Sequence, residues 1–291
     1  MTRLRLATRG SAQATTQAQA VADRLAALGV EATLVLVDTL GDRTQAADVP
    51  LHTIGGLGVF TKEIQIAVLD GRADVAVHSA KDLPTETDPR LVIGAFVARR
   101  DAADALIGRR LADLDRGAVV ATGSVRRRAQ LGRARPDLQF EELRGNIHTR
   151  LQRVPPGGAI VMAMAALEIL GLVDRAAERL DPREFVPAVG QGCVALECRV
   201  DDRPTRDALA GIDDRPTRHA VSVERAYLAE LGAGCSLPVG AHAAGRVLTT
   251  FLAAERSGVA VTDVTELTGE LERDMDAARR VAVDARQRVD G

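Results

Sequence analysis

The sequence predicts an α/β protein with two lobes built on mixed, mainly parallel sheets, followed by a small α+β C-terminal domain. Three observations carry that expectation. Over the first ninety residues short apolar strands alternate with helical stretches, a pattern that makes neighbouring strands run parallel. The same alternation restarts at Ala118. Past Asp213 it gives way to a long helix, several strand-length segments and a closing amphipathic helix.

Leu4 to Thr8 forms the first strand and turns at Arg9-Gly10-Ser11 into an Ala-rich helix. That helix runs to about Leu28 and stops at Gly29, a residue suited to a left-handed cap. β-branched residues mark Glu31 to Val37 as a second strand. After a polar loop, Gly55-Gly56-Leu57-Gly58 precedes a helix through Lys62 to Leu69. Asp74 to His78 and Leu91 to Val97 read as buried strands. In the second run, the strand Ala118 to Ala121 turns at Thr122-Gly123-Ser124 into a helix over Val125 to Ala134. A strand over Leu138 to Leu143, a helix over Gly145 to Val154, a strand over Ala159 to Met162 and a helix over Ala165 to Leu170 follow. Cys193 to Val200 is one more strand, returning the chain to the first lobe.

The domains expected from this order are 1–97 with 190–213, then 98–189, then 214–291, with a cleft between the first two. The third holds a helix from Thr217 to Leu231, strands near Val239 to Ala244, Leu248 to Ala254 and Val259 to Leu267, and a helix over Leu271 to Val289.

Composition narrows the function classes. With 46% hydrophobic and 27% charged residues the chain is globular, and with one Tyr, five Phe and no Trp its cores are aliphatic. No apolar run approaches the ~20 residues that span a bilayer. The first residues lack the apolar stretch of a secretory signal, so a cytoplasmic protein without membrane contact is expected. Three cysteines without Cys-x-x-Cys spacing argue against a disulfide framework and against structural zinc, and no cluster has metal-ligand spacing. A net charge of −2 argues against a general nucleic-acid binder. The charge is unevenly distributed, however. Between Ser124 and Arg153, Arg126, Arg127, Arg128, Arg133, Arg135, Arg144, Arg150 and Arg153 face only Asp137, Glu141 and Glu142, an excess that suits an anionic partner. Lys62 and Lys81 are the only lysines among 38 basic residues, which points to chemistry that Arg cannot do, chance retention of a surface lysine being the alternative, more so for Lys62 than for Lys81.

Three strand-to-helix turns carry hydroxyls or glycines: Thr8 to Ser11, Gly55 to Gly58, and Thr122 to Ser124. Such turns sit at the carboxyl ends of strands, where helix N-termini offer free N–H groups to anions. Any one of them alone reads more readily as ordinary N-capping, whereas three in register on facing lobes point toward an anion cleft. None spells a phosphate loop or dinucleotide fingerprint. Arg126-Arg127-Arg128 opens the helix after the third turn, although cations there oppose the macrodipole. A fixed anion at that point would account for them, and arginine matches carboxylates bidentately. A solvated basic face is the alternative. The segment His78-Ser79-Ala80-Lys81-Asp82-Leu83-Pro84 delivers a Lys and an Asp at the end of an apolar strand. A partly desolvated carboxylate there can stabilise a developing cation or pass a proton to a leaving amine; a capping Asp is the plainer reading. Cys235 lies among glycines that leave its sulfur accessible, whereas Cys193 and Cys198 lie in apolar strand sequence and read as small buried hydrophobes. His78 reads as a packed or hydrogen-bonded residue.

Taken together these stretches resemble the porphobilinogen deaminase (hydroxymethylbilane synthase) family. The matching segments are Ala7-Thr8-Arg9-Gly10-Ser11, Gly58-Val59-Phe60-Thr61-Lys62-Glu63, His78 to Pro84, Thr122-Gly123-Ser124-Val125-Arg126-Arg127, Leu143-Arg144-Gly145-Asn146, Pro187-Ala188-Val189-Gly190-Gln191-Gly192 and Gly234-Cys235. They run in the family's order from residue 4 to about 245. The resemblance implies two periplasmic-binding-protein-like lobes and a third domain, and a transferase of porphyrin and heme biosynthesis. It implies a dipyrromethane cofactor joined to Cys235 by a thioether, which primes the condensation of four porphobilinogens with loss of ammonia at each step. It puts the catalytic carboxylate on Asp82 beside Lys81. Ser79, Thr122, Ser124, Arg126, Arg127, Arg144 and Gly145 would hold the cofactor. Arg9, Ser11, Phe60, Arg144, Arg150 and Gln191 would meet substrate and its acetate and propionate groups. Leu57 and Ile169 stand where many members carry basic residues, which puts chain elongation in question.

A second reading from a different class is a non-catalytic two-lobed binding protein for a carboxylated small molecule. A third is a degenerate paralogue that assembles the cofactor and elongates poorly. Ammonia release from porphobilinogen separates the enzyme from the binding protein. With no heptad and no obvious sticky edge, a monomer is expected.

Overall fold

The computed structural model describes residues 3–39, 61–86, 88–232, 237–254 and 258–290. The chain divides into two units, Met1–Arg100 with Cys193–Arg218 and Asp101–Gly192 with His219–Gly291.

The first unit is built on a five-stranded sheet of order β2-β1-β3-β10-β4. Its strands are β1 (Arg3–Arg9), β2 (Glu31–Val37), β3 (Val75–Ser79), β4 (Leu91–Phe96) and β10 (Val194–Arg199). β1 pairs in parallel with β2 and β3, and β10 lies antiparallel between β3 and β4. Alternation along the strands serves two faces. Leu4, Leu6, Val75 and Val77 join one core with Val21 and Leu25 of helix α1 (Ala12–Ala26). Ala7 and Ala76 face the other, packed with Ile64, Ala67 and Val68 of α2 (Lys62–Leu69). A sheet covered on both faces needs apolar residues on both sides of each strand, which is why β3 reads as a continuous apolar run. Gly29, expected as a cap, has φ +77 just beyond α1, and Val30 N–H donates to Leu25 O at 3.0 Å.

The second unit repeats that order. Its sheet runs β7-β6-β8-β5-β9, from β5 (Asp104–Ile107), β6 (Val119–Ala121), β7 (Gln139–Glu141), β8 (Ala159–Ala163) and β9 (Glu178–Arg179). β6 is parallel to β7 and β8, and β5 lies antiparallel between β8 and β9. In both units the antiparallel strand is the first one after the chain changes unit: β5 follows Asp101 and β10 follows Cys193. The mixed, mainly parallel sheets expected from the alternation are therefore present, each with one reversed strand. Helices α3 (Val125–Ala134), α4 (Ile147–Leu151) and α5 (Met164–Ile169) follow β6, β7 and β8.

Helix α6 (Arg203–Ala210) follows β10, and α7 (Arg215–Glu230) crosses from the first unit into the second. Strands β11 (Val239–Ala244), β12 (Val247–Ala253) and β13 (Ala260–Glu266) form an antiparallel meander in the second unit. α8 (Leu271–Asp290) packs on it. The meander has its own core, in which Tyr227, Leu248 and Leu252 meet a stripe of Ala278, Ala282 and Ala285. Small residues at helical spacing let α8 approach the sheet closely. Ala282 is fully buried, so Ala282→Leu is expected to cost about 1–3 kcal/mol through overpacking, read as a lower urea midpoint at unchanged slope.

Four elements differ from expectation, one of them the two-residue β9, which is too short to leave a periodic signal. β5 is a strand of four residues with an acid at its start, too short and too polar at one end for periodicity to reveal it. The helix expected over Gly145 to Val154 is limited to Ile147–Leu151, since Gly145 has φ +108 and Pro155-Pro156 disfavour helical backbone before them. α6 was not anticipated, although its signal is present: Asp202 accepts from Thr205 N–H at 3.1 Å and Pro stands in its first turn.

Candidate active site

In the first unit the predicted residues gather where parallel strands end. Arg9 closes β1, and Ser11 caps α1, its Oγ accepting from Ala14 N–H at 3.3 Å. The buried Thr8 hydroxyl donates to Ala14 O at 3.2 Å, fixing the turn between strand and helix. Next to β1, strand β3 delivers Ser79, whose hydroxyl donates to Gln17 Oε1 at 3.2 Å. A single 3-10 turn, Ala80–Asp82, follows. Backbone bonds hold it: Ala80 N–H donates to Cys193 O at 2.9 Å and Leu83 N–H to Ala80 O at 3.3 Å. Leu83 is buried and pins the turn to the core. Lys81 and Asp82 are half-buried. Among the described residues no hydrogen bond or ion pair holds the Asp82 carboxylate.

One residue before Ser79, His78 points into the interior as expected of a packed histidine. Its Nε2 lies 3.3 Å from Glu197 Oε2 of β10, and Gln65 of α2 donates to the same oxygen at 2.8 Å. Both members of that pair are buried. The arrangement ties β3, the reversed strand β10 and α2 together.

In the second unit the C-terminal ends of β6 and β7 lie side by side. Thr122 N–H donates to Glu141 O at 2.8 Å, and Thr122 Oγ1 accepts from Ser124 N–H at 3.2 Å. Ser124 caps α3 by accepting from Arg127 N–H at 3.4 Å. A Cβ on Gly123 would sit 2.9 Å from Glu142 Oε1 and 3.1 Å from Leu143 O, so the glycine lets the Glu142 carboxylate lie against the turn. Beyond β7, Arg144 Nη2 lies 3.3 Å from Glu142 Oε1. Asn146 caps α4, and Arg150 Nε donates to Gly145 O at 2.7 Å.

The arginine run divides along its helix. Arg126 and Arg127 are buried, whereas Arg128 is exposed. Arg126 donates to Asp104 Oδ2 at 2.8 Å and to Val186 O at 2.7 Å. Arg127 donates twice to Asp104 Oδ1, at 2.7 and 3.0 Å, and to Val161 O at 3.1 Å. The fixed anion that a cationic helix start calls for is thus a residue of the chain itself. Burial pushes the Asp104 carboxyl up, but the Arg126 and Arg127 guanidiniums outweigh it and hold the group well below the usual carboxylate range. Gln191, expected on substrate, is buried and donates to Asp104 Oδ1 at 2.8 Å and to Ala102 O at 2.7 Å. It serves the Asp104 network, a role the sequence reading did not assign. Asp104 itself was missed; the signal was a lone acid inside Ala102-Ala103-Asp104-Ala105-Leu106-Ile107.

Cys193 and Cys198 are buried, as expected, and burial, with Asp202 adding, pushes the Cys198 thiol up to about 11. Cys235, Phe60 and Leu57 lie outside the described residues. Ile169 ends α5, half-buried. Among the described residues no group of three or more His, Cys, Asp or Glu could hold a metal, and no helix is long and apolar enough to cross a membrane.

Comparison with known proteins gives these features a context. Residues 4–207 match the family described as porphobilinogen deaminase, dipyromethane cofactor binding domain, and residues 219–287 match the porphobilinogen deaminase C-terminal domain. A porphobilinogen deaminase of Mycobacterium marinum is 50% identical over 245 residues, covering 82% of this chain and 77% of that protein. One from Acidothermus cellulolyticus is 45% identical over 294 residues, covering 97% of this chain and 88% of that protein. Among solved structures, a TRAP periplasmic solute binding protein from Desulfovibrio salexigens is 12% identical with a TM-score of 0.43, covering 73% of this chain and 72% of that one. That likeness is distant, and the fold described above stands on strand order alone.

Proposed function

The chain belongs to the porphobilinogen deaminase family, and from that membership we propose that it condenses four porphobilinogens, with loss of ammonia, into the linear tetrapyrrole hydroxymethylbilane. The observation that carries the reading is Asp82: a half-buried carboxylate at the carboxyl end of a parallel strand that the described residues do not use structurally. Carboxylates kept for structure, such as Asp104, are enclosed by donors; one held half-desolvated without them is available for chemistry.

The residues present fit a dipyrromethane. A carboxylate already rests against Arg128 and Arg144 over the Thr122 to Ser124 turn, so that edge accepts the acidic side chains such a group carries. Cys235 would hold it covalently. Ser79, Lys81, Asp82, Thr122, Ser124, Arg144 and Gly145 would bind it, together with the N–H donors of Arg126 and Arg127 that Asp104, Val161 and Val186 do not take. When bound, it supplies the free pyrrole carbon from which the chain grows. Arg9, Ser11, Phe60 and Arg150 would orient the substrate's acetate and propionate groups, and Gln191 would act through Asp104. Asp82 accepts from the substrate's pyrrole N–H and offsets the positive charge that builds as the amine departs. Its carboxyl oxygen can also carry the proton that leaves with ammonia. Lys81 beside it would pair with a substrate carboxylate. The three-domain division of 1–97 with 190–213, 98–189 and 214–291, a monomeric state and a cytoplasmic location complete the proposal.

Intact mass tests it. The purified chain is expected to exceed its sequence mass by a dipyrromethane, and Cys235→Ala to show the bare mass. A bare mass for the unsubstituted chain, made in a host that produces porphobilinogen, together with no ammonia release, would favour the non-catalytic binding protein.

A further inference from the structure

We propose that Glu142 is a built-in competitor for ligand carboxylates: it occupies Arg144 and Arg128 when no ligand does, and gives way when one binds. The inference rests on the proposed function for its ligand, the acetate or propionate of a pyrrole. Glu142 follows β7 at its carboxyl end and reaches over the neighbouring turn. Its Oε1 is 3.3 Å from Arg144 Nη2 and its Oε2 is 3.5 Å from Arg128 Nη2. Arg128 Nη2 also lies 3.4 Å from Thr122 O. The absent side chain of Gly123 leaves room for the carboxylate on the turn itself.

The contrast with Asp104 identifies the role. Asp104 meets its two arginines at 2.7 to 3.0 Å with side chains almost wholly buried, which is a structural contact. Glu142 meets its two at the outer limit of hydrogen bonding, with its side chain 49% exposed. Such a pair is weak and readily exchanged. Arg144, by comparison, is only 15% exposed, so its guanidinium is already largely withdrawn from water. A loosely held internal carboxylate keeps this guanidinium extended and ready. It also lowers the net attraction for an incoming carboxylate, so that a polyanionic product is not held too firmly to leave.

The test is Glu142→Gln, nearly isosteric, with Glu141→Gln as the control. Glu141, the last residue of β7, is exposed, and its substitution removes the same charge one residue away. At low salt Glu142→Gln is expected to lower the KM for porphobilinogen about two- to fivefold, the equivalent of one surface pair. The difference should fade toward 1 M salt, where the screening length is ~3 Å. Glu141→Gln should leave KM as it is. An unchanged or raised KM in Glu142→Gln, or an equal effect in Glu141→Gln, overturns the proposal. The same ratio can be read without turnover, by calorimetric titration of porphobilinogen into Cys235→Ala chains with and without Glu142→Gln. No ammonia release by the unsubstituted chain, with that affinity ratio intact, would sink the proposed reaction and leave the competitor standing; equal affinities would sink the competitor.

Discussion

Asp82→Asn is expected to leave the chain folded and to lower kcat by about a hundredfold or more, the usual effect of removing one group that faces developing charge. The fold should survive because the 3-10 turn is held by backbone bonds to Cys193 and Ala80 and by the buried Leu83. None of these involves the Asp82 side chain. Asparagine keeps the shape and one acceptor oxygen and loses the negative charge. The deficit should therefore fall on kcat more than on KM, since charge develops mainly as the amine leaves. Ammonia release in single turnover, with circular dichroism and thermal unfolding on the same samples, checks both halves. Ordinary turnover in a folded Asp82→Asn chain would remove Asp82 from the mechanism.

Asp104→Asn has its largest effect on stability, about 3–5 kcal/mol, because it leaves two buried guanidiniums facing a neutral amide. Burial already draws Arg126 below its ordinary value, and Asp104 is what counters this. Gln191 would lose its partner as well. Urea unfolding reads the loss directly, and a cost below about 1 kcal/mol would mean that the arginines find another anion. The pH dependence has a definite sign. The Asp104 carboxyl is depressed in the folded chain, so its stabilisation is complete above the unfolded carboxylate value of about 3.9 and disappears as pH falls through the lower folded value. The unsubstituted chain should thus show an acid-side loss of stability below about pH 4 that is shallower in Asp104→Asn. Because α3 starts at these arginines, the variant should also present Ser124 and Arg128 less precisely and raise the KM for porphobilinogen.

Much of the site was legible because it is local. Ser79 to Asp82, Thr8 to Ser11 and Thr122 to Ser124 are strand ends followed by turns, and a strand end is visible in a few consecutive residues. Asp104, Glu197 and Glu224 were not, because each acts through partners far along the chain. Glu224, fully buried in α7, accepts from Gly190 N–H and Ala243 N–H, both at 2.8 Å. Asp104 and Glu197 share one signal, a single acid within an apolar run, whereas Glu224 stands between Val223 and Arg225 on a helix; none of the three shows its partners in the residues next to it.

By itself the sequence determined the alternation of strands and helices, the restart at Ala118, the change of style past Asp213, and the residues that stand at strand ends. These follow from periodicity and turn chemistry, which involve near neighbours only. The tertiary structure alone decided that β5 and β10 run against their sheets, since reversal depends on pairing between distant segments. It also decided which cations the chain encloses with its own carboxylate. In the sequence Arg126, Arg127 and Arg128 are three equal charges. Helical rotation turns the first two inward onto Asp104 and the third outward beside Glu142, and the low polarizability of a buried site makes the first pair structural while water leaves the last exchangeable.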